Sequence, residues 1–276
     1  MNLAQIKESL RNGGLAIKEH LEFKKVAIKF ADSAILIEGE SSPSMVNKAL
    51  STSTENDTES VIKRTIIGNT YNWLDSHGDV HLKDTFKRSI KERGEKGKIW
   101  HLHDHEQKRT SQVGKVAKVY QQEIKWTDLG VDKSGTTQAV MMDTNILKDY
   151  NGLMFQEYKD GNVDQHSVGM YYVKIDLAVN DPEFKEEFAV WNANISTIGN
   201  KDKAEELGFF YAVKEAKLIE ISAVLEGSNE LTPTIEAKDN DPLQNSHDSD
   251  PSKDSQTNED LKEKAKREVL LKLINS

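Results

Sequence analysis

Two segments decide how this chain folds: "VDQHSVGMYYVKIDL", residues 163–177, and "AVKEAKLIEISAVLEG", residues 212–227. Both are rich in Val, Ile, Tyr and other strand-favouring residues, and both read as β-strands. A strand turns successive side chains to opposite faces, so Ser167 shares a face with Gln165 and Gly169, while His166 points away with Val168 and Met170. In the second segment Glu220 shares a face with Leu218 and Ser222. Ser222 is therefore either a hydrogen-bond partner of Glu220 or a rival nucleophile.

Working outward, "QVGKVAKVYQQEIKW" (residues 112–126) and "TTQAVMMDT" (136–144) are alternating β-rich segments separated by the turn-like "GVDKSG". "VIKRTIIGNTYNW" (61–73) opens this ordered region, and "KIWHLHDHEQ" (98–107) supplies a strand with His101, His103 and His105 at every second position. Three histidines on a continuous strand would all point to one face. "LDSHGDV" reads as a turn, with Asp84 placed to cap a helix through "TFKRSIKERG". "NILKDYNGLMFQEYKDG" reads as a helix stopped by Gly161, and residues 178–208 as a partly helical insertion.

The flanks differ from this centre. Leu3, Ile6 and Leu10 fall at helical spacing, Gly13–Gly14 end that helix, and "KKVAIKFADSAILIEGE" reads as two strands around a tight turn, giving an N-terminal extension over residues 1–40. Residues 41–60 form a polar linker, residues 61–235 the main domain, and residues 236–260 an acidic stretch expected to be disordered. Residues 261–276 form an amphipathic helix expected to meet a partner or a second copy.

The 276 residues include no cysteine, which excludes disulfides, thiolate metal sites and cysteine nucleophiles. A net charge of -9 speaks against a general nucleic-acid role, because phosphate binding draws on clustered Lys and Arg. No apolar run reaches membrane-spanning length, and "MNLAQIKESL" lacks the apolar stretch of a secretion signal, so a soluble intracellular protein is expected.

A serine hydroxyl needs a neighbouring base to act as a nucleophile, and a third polar group to fix the base's tautomer. The sequence offers Ser167, a base from the histidine strand, and Glu220 flanked by apolar residues. A metal reading stands beside this one: alternate histidines of a strand can converge on Zn²⁺, with His77 and His81 as added ligands. Against it, Asp104 and Glu106 alternate with the histidines and would point away. A solvated histidine face without function is the third possibility.

In order, "IIGNTYNWLDSHGDVHLKDTFKRSI", "IWHLHDH" with "VGKV", "HSVGM" and "LIEISAVLEGSNELTP" resemble the successive motifs of the prohead (capsid-maturation) serine proteases of tailed bacteriophages, a family related in fold to herpesvirus assemblin. The resemblance covers about Val61 to Pro233 and departs from the family at Lys83–Phe86, where only the aromatic of a Pro-Gly-Ala-Phe pattern remains. It implies an α+β fold with a mostly antiparallel, barrel-like β core and flanking helices. It also implies that His103, the histidine followed directly by Asp104, is the general base, Ser167 the nucleophile and Glu220 the third member. No cofactor or metal is implied. The implied substrates are the scaffold, the N-terminal extension of the major capsid protein and the enzyme itself, cut inside the immature prohead in the host cytoplasm. A noncatalytic capsid-assembly protein and a histidine-cluster metal-dependent hydrolase are the alternatives.

Overall fold

In a computed structural model, residues 1–26 and 60–236 are described. The strand pair expected within residues 24–40 lies outside them apart from 24–26, and the linker 41–60 apart from Ser60. The acidic stretch and the C-terminal helix also lie outside, save residue 236. Eight strands form one sheet: β1 (Val61–Thr70), β2 (Asp79–His81), β3 (Trp100–His103), β4 (Gln112–Lys125), β5 (Thr136–Leu147), β6 (His166–Val179), β7 (Phe209–Ala223) and β8 (Thr234–Glu236). The helices are α1 (Leu3–Arg11), α2 (Leu15–Val26), α3 (Lys87–Ser89, continued by a π-helical turn Ile90–Gly94), α4 (Gly152–Lys159), α5 (Lys185–Asn194) and α6 (Lys201–Leu207).

The fold is α+β as expected and most strand pairs are antiparallel, but the sheet is mixed and open and does not form a barrel. The long β7 organises it. Along one side β7 pairs antiparallel with β6, and along the other it pairs in parallel with β2 and, further on, with β3. The order then runs through β4, β5, β1 and the three-residue β8. Among the described strands β6 pairs only with β7 and β8 only with β1, so the sheet does not close. It does curl: a Cβ at Gly68, where β1 slips register against β5, would lie 2.4 Å from Ile221 Cδ1. Glycine is what lets β1 approach β7 so closely.

Both faces of β7 are covered, as its period-two pattern requires. Phe209, Tyr211 and Val213 join the main core with Ile6, Ile17, Phe155 and Tyr158 from the helices. Phe210 and Ala212 face Trp191, Ile198 and Ala204 of the helical insertion. The insertion is thus a lid over a second apolar layer, which explains why a partly helical segment interrupts two strands that pair with each other.

Three local expectations change. Lys24–Val26 close a second helix instead of starting a strand, with Gly13 (φ 88°) and Gly14 (φ 69°) making the turn between α1 and α2. Asp84 does not cap α3: its backbone is left-handed (φ 68°), and its carboxylate meets Lys87 Nζ and Gln121 Nε2. The helical reading of residues 145–161 is confined to α4, capped by the Asn151 side chain, because Asn145–Leu147 extend β5.

Candidate active site

The ladder between β6 and β7 sets Ser167 opposite Ser222 and Gly169 opposite Glu220. Residues opposite one another on paired strands share a face, so these four side-chain positions form one patch. The parallel ladder of β3 extends it: Trp100 and Leu102 pair with Glu220 and Ser222, whereas His101 and His103 pair with Ile221 and Ala223 on the other face. His103 is therefore on the wrong side of the sheet to serve Ser167. Its half-exposed ring lies 3.0 Å from the Asp104 carboxylate. The structure does not bring His103 together with Ser167 and Glu220 on that patch.

The strand ends at His103, and the chain then reverses through two left-handed residues, Asp104 (φ 51°) and His105 (φ 56°). Asp and His enter this region more readily than most residues, yet each such position costs of order 1 kcal/mol and needs outside support. Support comes from three backbone contacts. Asp104 N–H donates to Ala223 C=O at 3.0 Å, Glu106 N–H to His103 C=O at 3.1 Å, and His105 N–H to Ser222 Oγ at 3.1 Å. The reversal carries His105 round to the face that bears Ser167 and Glu220. Alternation would have kept it with His101 and His103.

There the His105 ring is buried, and its Nδ1 lies 2.6 Å from Glu220 Oε1. The Ser222 hydroxyl donates to the other carboxylate oxygen, Oε2, at 2.6 Å. Ser222 is thus the hydrogen-bond partner of Glu220, which resolves the choice left open by strand parity. A carboxylate on Nδ1 holds the neutral imidazole with its proton there and leaves Nε2 as the basic nitrogen.

The glycine two residues after Ser167 also acquires a reason. A Cβ on Gly169 would sit 1.9 Å from Glu220 Oε1 and 2.7 Å from its Cδ. The Glu220 carboxylate occupies the room that this glycine leaves. The Ser-Val-Gly and Glu-Ile-Ser patterns are two halves of one arrangement.

The other histidines are accounted for separately. His101 is fully buried between Thr144 Oγ1 (3.1 Å from Nδ1) and the Tyr158 hydroxyl (2.9 Å from Nε2). That hydroxyl is also 2.9 Å from His166 Nε2, and His166 Nδ1 reaches the Thr232 carbonyl at 2.8 Å. The carbonyl accepts only, so His166 carries its proton on Nδ1; Tyr158 then donates to His166, His101 Nε2–H donates to Tyr158, and Thr144 donates to His101. Burial pulls the His101 pKa down to about 3, aided by neighbouring His166, and burial pulls His166 down to about 4. Both are neutral structural histidines on the face away from Ser167.

His81 lies against Asn69 and Phe86, and His77 closes the turn whose two backbone N–H groups bond to Asp75. The histidines thus diverge into separate surroundings. Among the described residues no group of three or more His, Asp or Glu is placed to hold a metal ion. No described helix is long and apolar enough to cross a membrane.

Sequence reasoning singled out Ser167 and Glu220 on separate strands; the register that sets them on one patch, and His105 as the histidine that reaches Glu220, come from the structure. A signal was present: apolar residues stop at Leu102, and "DHEQK" is polar throughout, which marks a strand end after which parity no longer applies. Comparison of the chain with protein-family models, with characterised proteins and with solved structures finds no match.

Proposed function

We propose that this chain is a serine endopeptidase of the prohead-maturation type, with Ser167 as nucleophile, His105 as general base and Glu220 as the group that orients it. The observation that carries the reading is the buried 2.6 Å contact between His105 Nδ1 and Glu220 Oε1 on the sheet face of Ser167. An acid–base–nucleophile set assembled from three separate segments, with one member held in left-handed backbone, is the kind of strained convergence found at catalytic sites.

In this reading Ser167 Oγ attacks the peptide carbonyl carbon as its proton passes to His105 Nε2, and Glu220 stabilises the imidazolium that forms. His105 gives that proton to the departing amine, leaving an ester on Ser167. Water then attacks the ester, its proton passes to Nε2, and the acid leaves as Ser167 regains its hydrogen. The substrates proposed are the scaffold, the major capsid protein's N-terminal extension and the chain itself, inside the immature shell.

The test is intact-mass analysis of the protein co-expressed with its major capsid protein, as wild type, Ser167→Ala, His105→Ala and His103→Ala. Fragments of either protein should form with wild type and His103→Ala and be missing with the other two. Loss in His103→Ala with retention in His105→Ala would return the base role to His103. Uncut capsid protein in assembled shells, with identical masses for wild type and Ser167→Ala, would favour a noncatalytic assembly protein. Cleavage that survives Ser167→Ala but stops with a chelator would favour a metal-dependent hydrolase.

A further inference from the structure

We infer that Ser222 is the positioning residue of this site, its hydroxyl fixing both the orienting carboxylate and the base. This rests on the peptidase reading above. The hydroxyl is fully buried and has two contacts of opposite sense: it donates to Glu220 Oε2 at 2.6 Å and accepts from His105 N–H at 3.1 Å. A hydroxyl has one proton, so these contacts fix its rotor. Glu220 is then held at both oxygens, Oε1 by His105 and Oε2 by Ser222, in the space that the missing side chain of Gly169 leaves.

The second contact matters as much as the first. His105 stands on a left-handed backbone and belongs to no ladder, so the bond from its N–H to Ser222 is one of the few ties that keep the reversal closed. Ser222 itself lies in the middle of the sheet, paired with Leu102 on one side and Ser167 on the other. A residue fixed within the sheet thus holds one that stands on an irregular reversal. A serine two residues after the acid couples the two catalytic partners, so losing its hydroxyl perturbs the orientation of the base and leaves the nucleophile in place.

Without the hydroxyl, Glu220 can rotate so that its hold on His105 Nδ1–H loosens, and the reversal loses one anchor. Displacement of a catalytic group by about 1 Å reduces turnover on the order of a hundred-fold. Ser222→Ala should therefore lower kcat by about that factor on a peptide spanning a mapped cut site, with KM within about twofold of wild type. Ring ¹⁵N spectra of His105 should show the Nδ1–H form alone in wild type and a mixture of the two tautomers in Ser222→Ala. Unchanged kcat together with an unchanged tautomer would overturn the inference.

If Ser222→Ala does not fold, hydrogen exchange in the wild type decides: the His105 amide should be strongly protected, and an amide exchanging at the rate of an unstructured chain would overturn the inference. If the wild type proves to have no peptidase activity, the functional reading fails on its own. The tautomer and amide exchange would still test the coupling by Ser222.

Discussion

Gly169→Ala should separate catalysis from folding more sharply than any substitution of the proposed triad itself. The added methyl would be placed 1.9 Å from Glu220 Oε1, while ordinary contact begins near 3.4 Å, so the carboxylate must retreat by about 1.5 Å, the difference between the two. Gly169 is paired with Glu220 just before the β6–β7 ladder slips register, and the carboxylate, at the end of a flexible side chain, moves more readily than the paired backbone. A retreat of that size stretches the 2.6 Å bond to His105 Nδ1 beyond hydrogen-bond range unless the ring follows. If the ring follows, its Nε2 shifts relative to Ser167.

Either way the orienting interaction is lost at the geometry catalysis needs, and loss of the orienting acid in a serine triad costs up to about 10⁴ in kcat. Overpacking a fitted interior costs about 1–3 kcal/mol of stability, of which the better strand propensity of alanine returns less than 1. The expected result is a folded protein with a melting temperature lower by several degrees and kcat reduced by two to four orders of magnitude on a cut-site peptide. Gly152→Ala, at the start of α4 with nothing within 4 Å of the new methyl, serves as control and should stay within about 0.5 kcal/mol of wild type. Gly169→Ala with wild-type kcat would refute the argument that Glu220 acts from the space this glycine leaves.

Three further outcomes are expected. His105→Ala should abolish turnover by a factor of about 10³ or more, whereas His103→Ala should stay within a few-fold of wild type; equal losses in a steady-state assay would mean that strand parity has been misread. Because His101 and His166 are held neutral well below their unfolded pKa near 6.5, the unfolded state binds more protons between about pH 6.5 and 4. Their contribution to stability is complete above pH 6.5 and falls as pH drops, by at most about 3 kcal/mol per pH unit for the pair. In urea titrations His166→Gln should have about half that histidine slope, and an unaltered slope would count against this assignment. Lys24 Nζ lies 2.8 Å from the fully buried Asp79 and 4.0 Å from the centre of the Tyr211 ring, and the Tyr172 hydroxyl donates to the same carboxylate. Lys24→Met should destabilise the protein by about 2–4 kcal/mol and speed exchange of the α1 and α2 amides; unchanged exchange would show that the helix pair docks without help from the Lys24–Asp79 pair.

The share of this architecture legible in the sequence tracks the range over which each physical rule operates. Alternation is local and held wherever a ladder continued: Ser167 and Gly169 on one face, His166 on the other, Glu220 with Ser222, all as the strand period requires. Register between strands is not local, so nothing in "QHSVGM" or "LIEIS" alone announced that Gly169 would stand opposite Glu220 and make room for its carboxylate. The parallel pairing of β7 with β2 and β3 was equally invisible, since it depends on where β2, β3 and the insertion direct the chain.

The histidine strand shows what happens at the edge of a rule. Period two carried across "HLHDH" places His101, His103 and His105 together, but the strand stops after four residues, and two left-handed residues invert the parity. The anchors of the inversion are three backbone N–H groups: Asp104 on the Ala223 carbonyl, Glu106 on the His103 carbonyl and His105 on the Ser222 hydroxyl. A motif comparison that aligns histidines by their following aspartate selects His103 for the same reason that parity does, since both treat the segment as regular. The catalytic geometry proposed here depends on the irregularity. A site that joins a residue from a strand interior to one from a strained reversal needs a tie between them, and the bond from His105 N–H to Ser222 provides it.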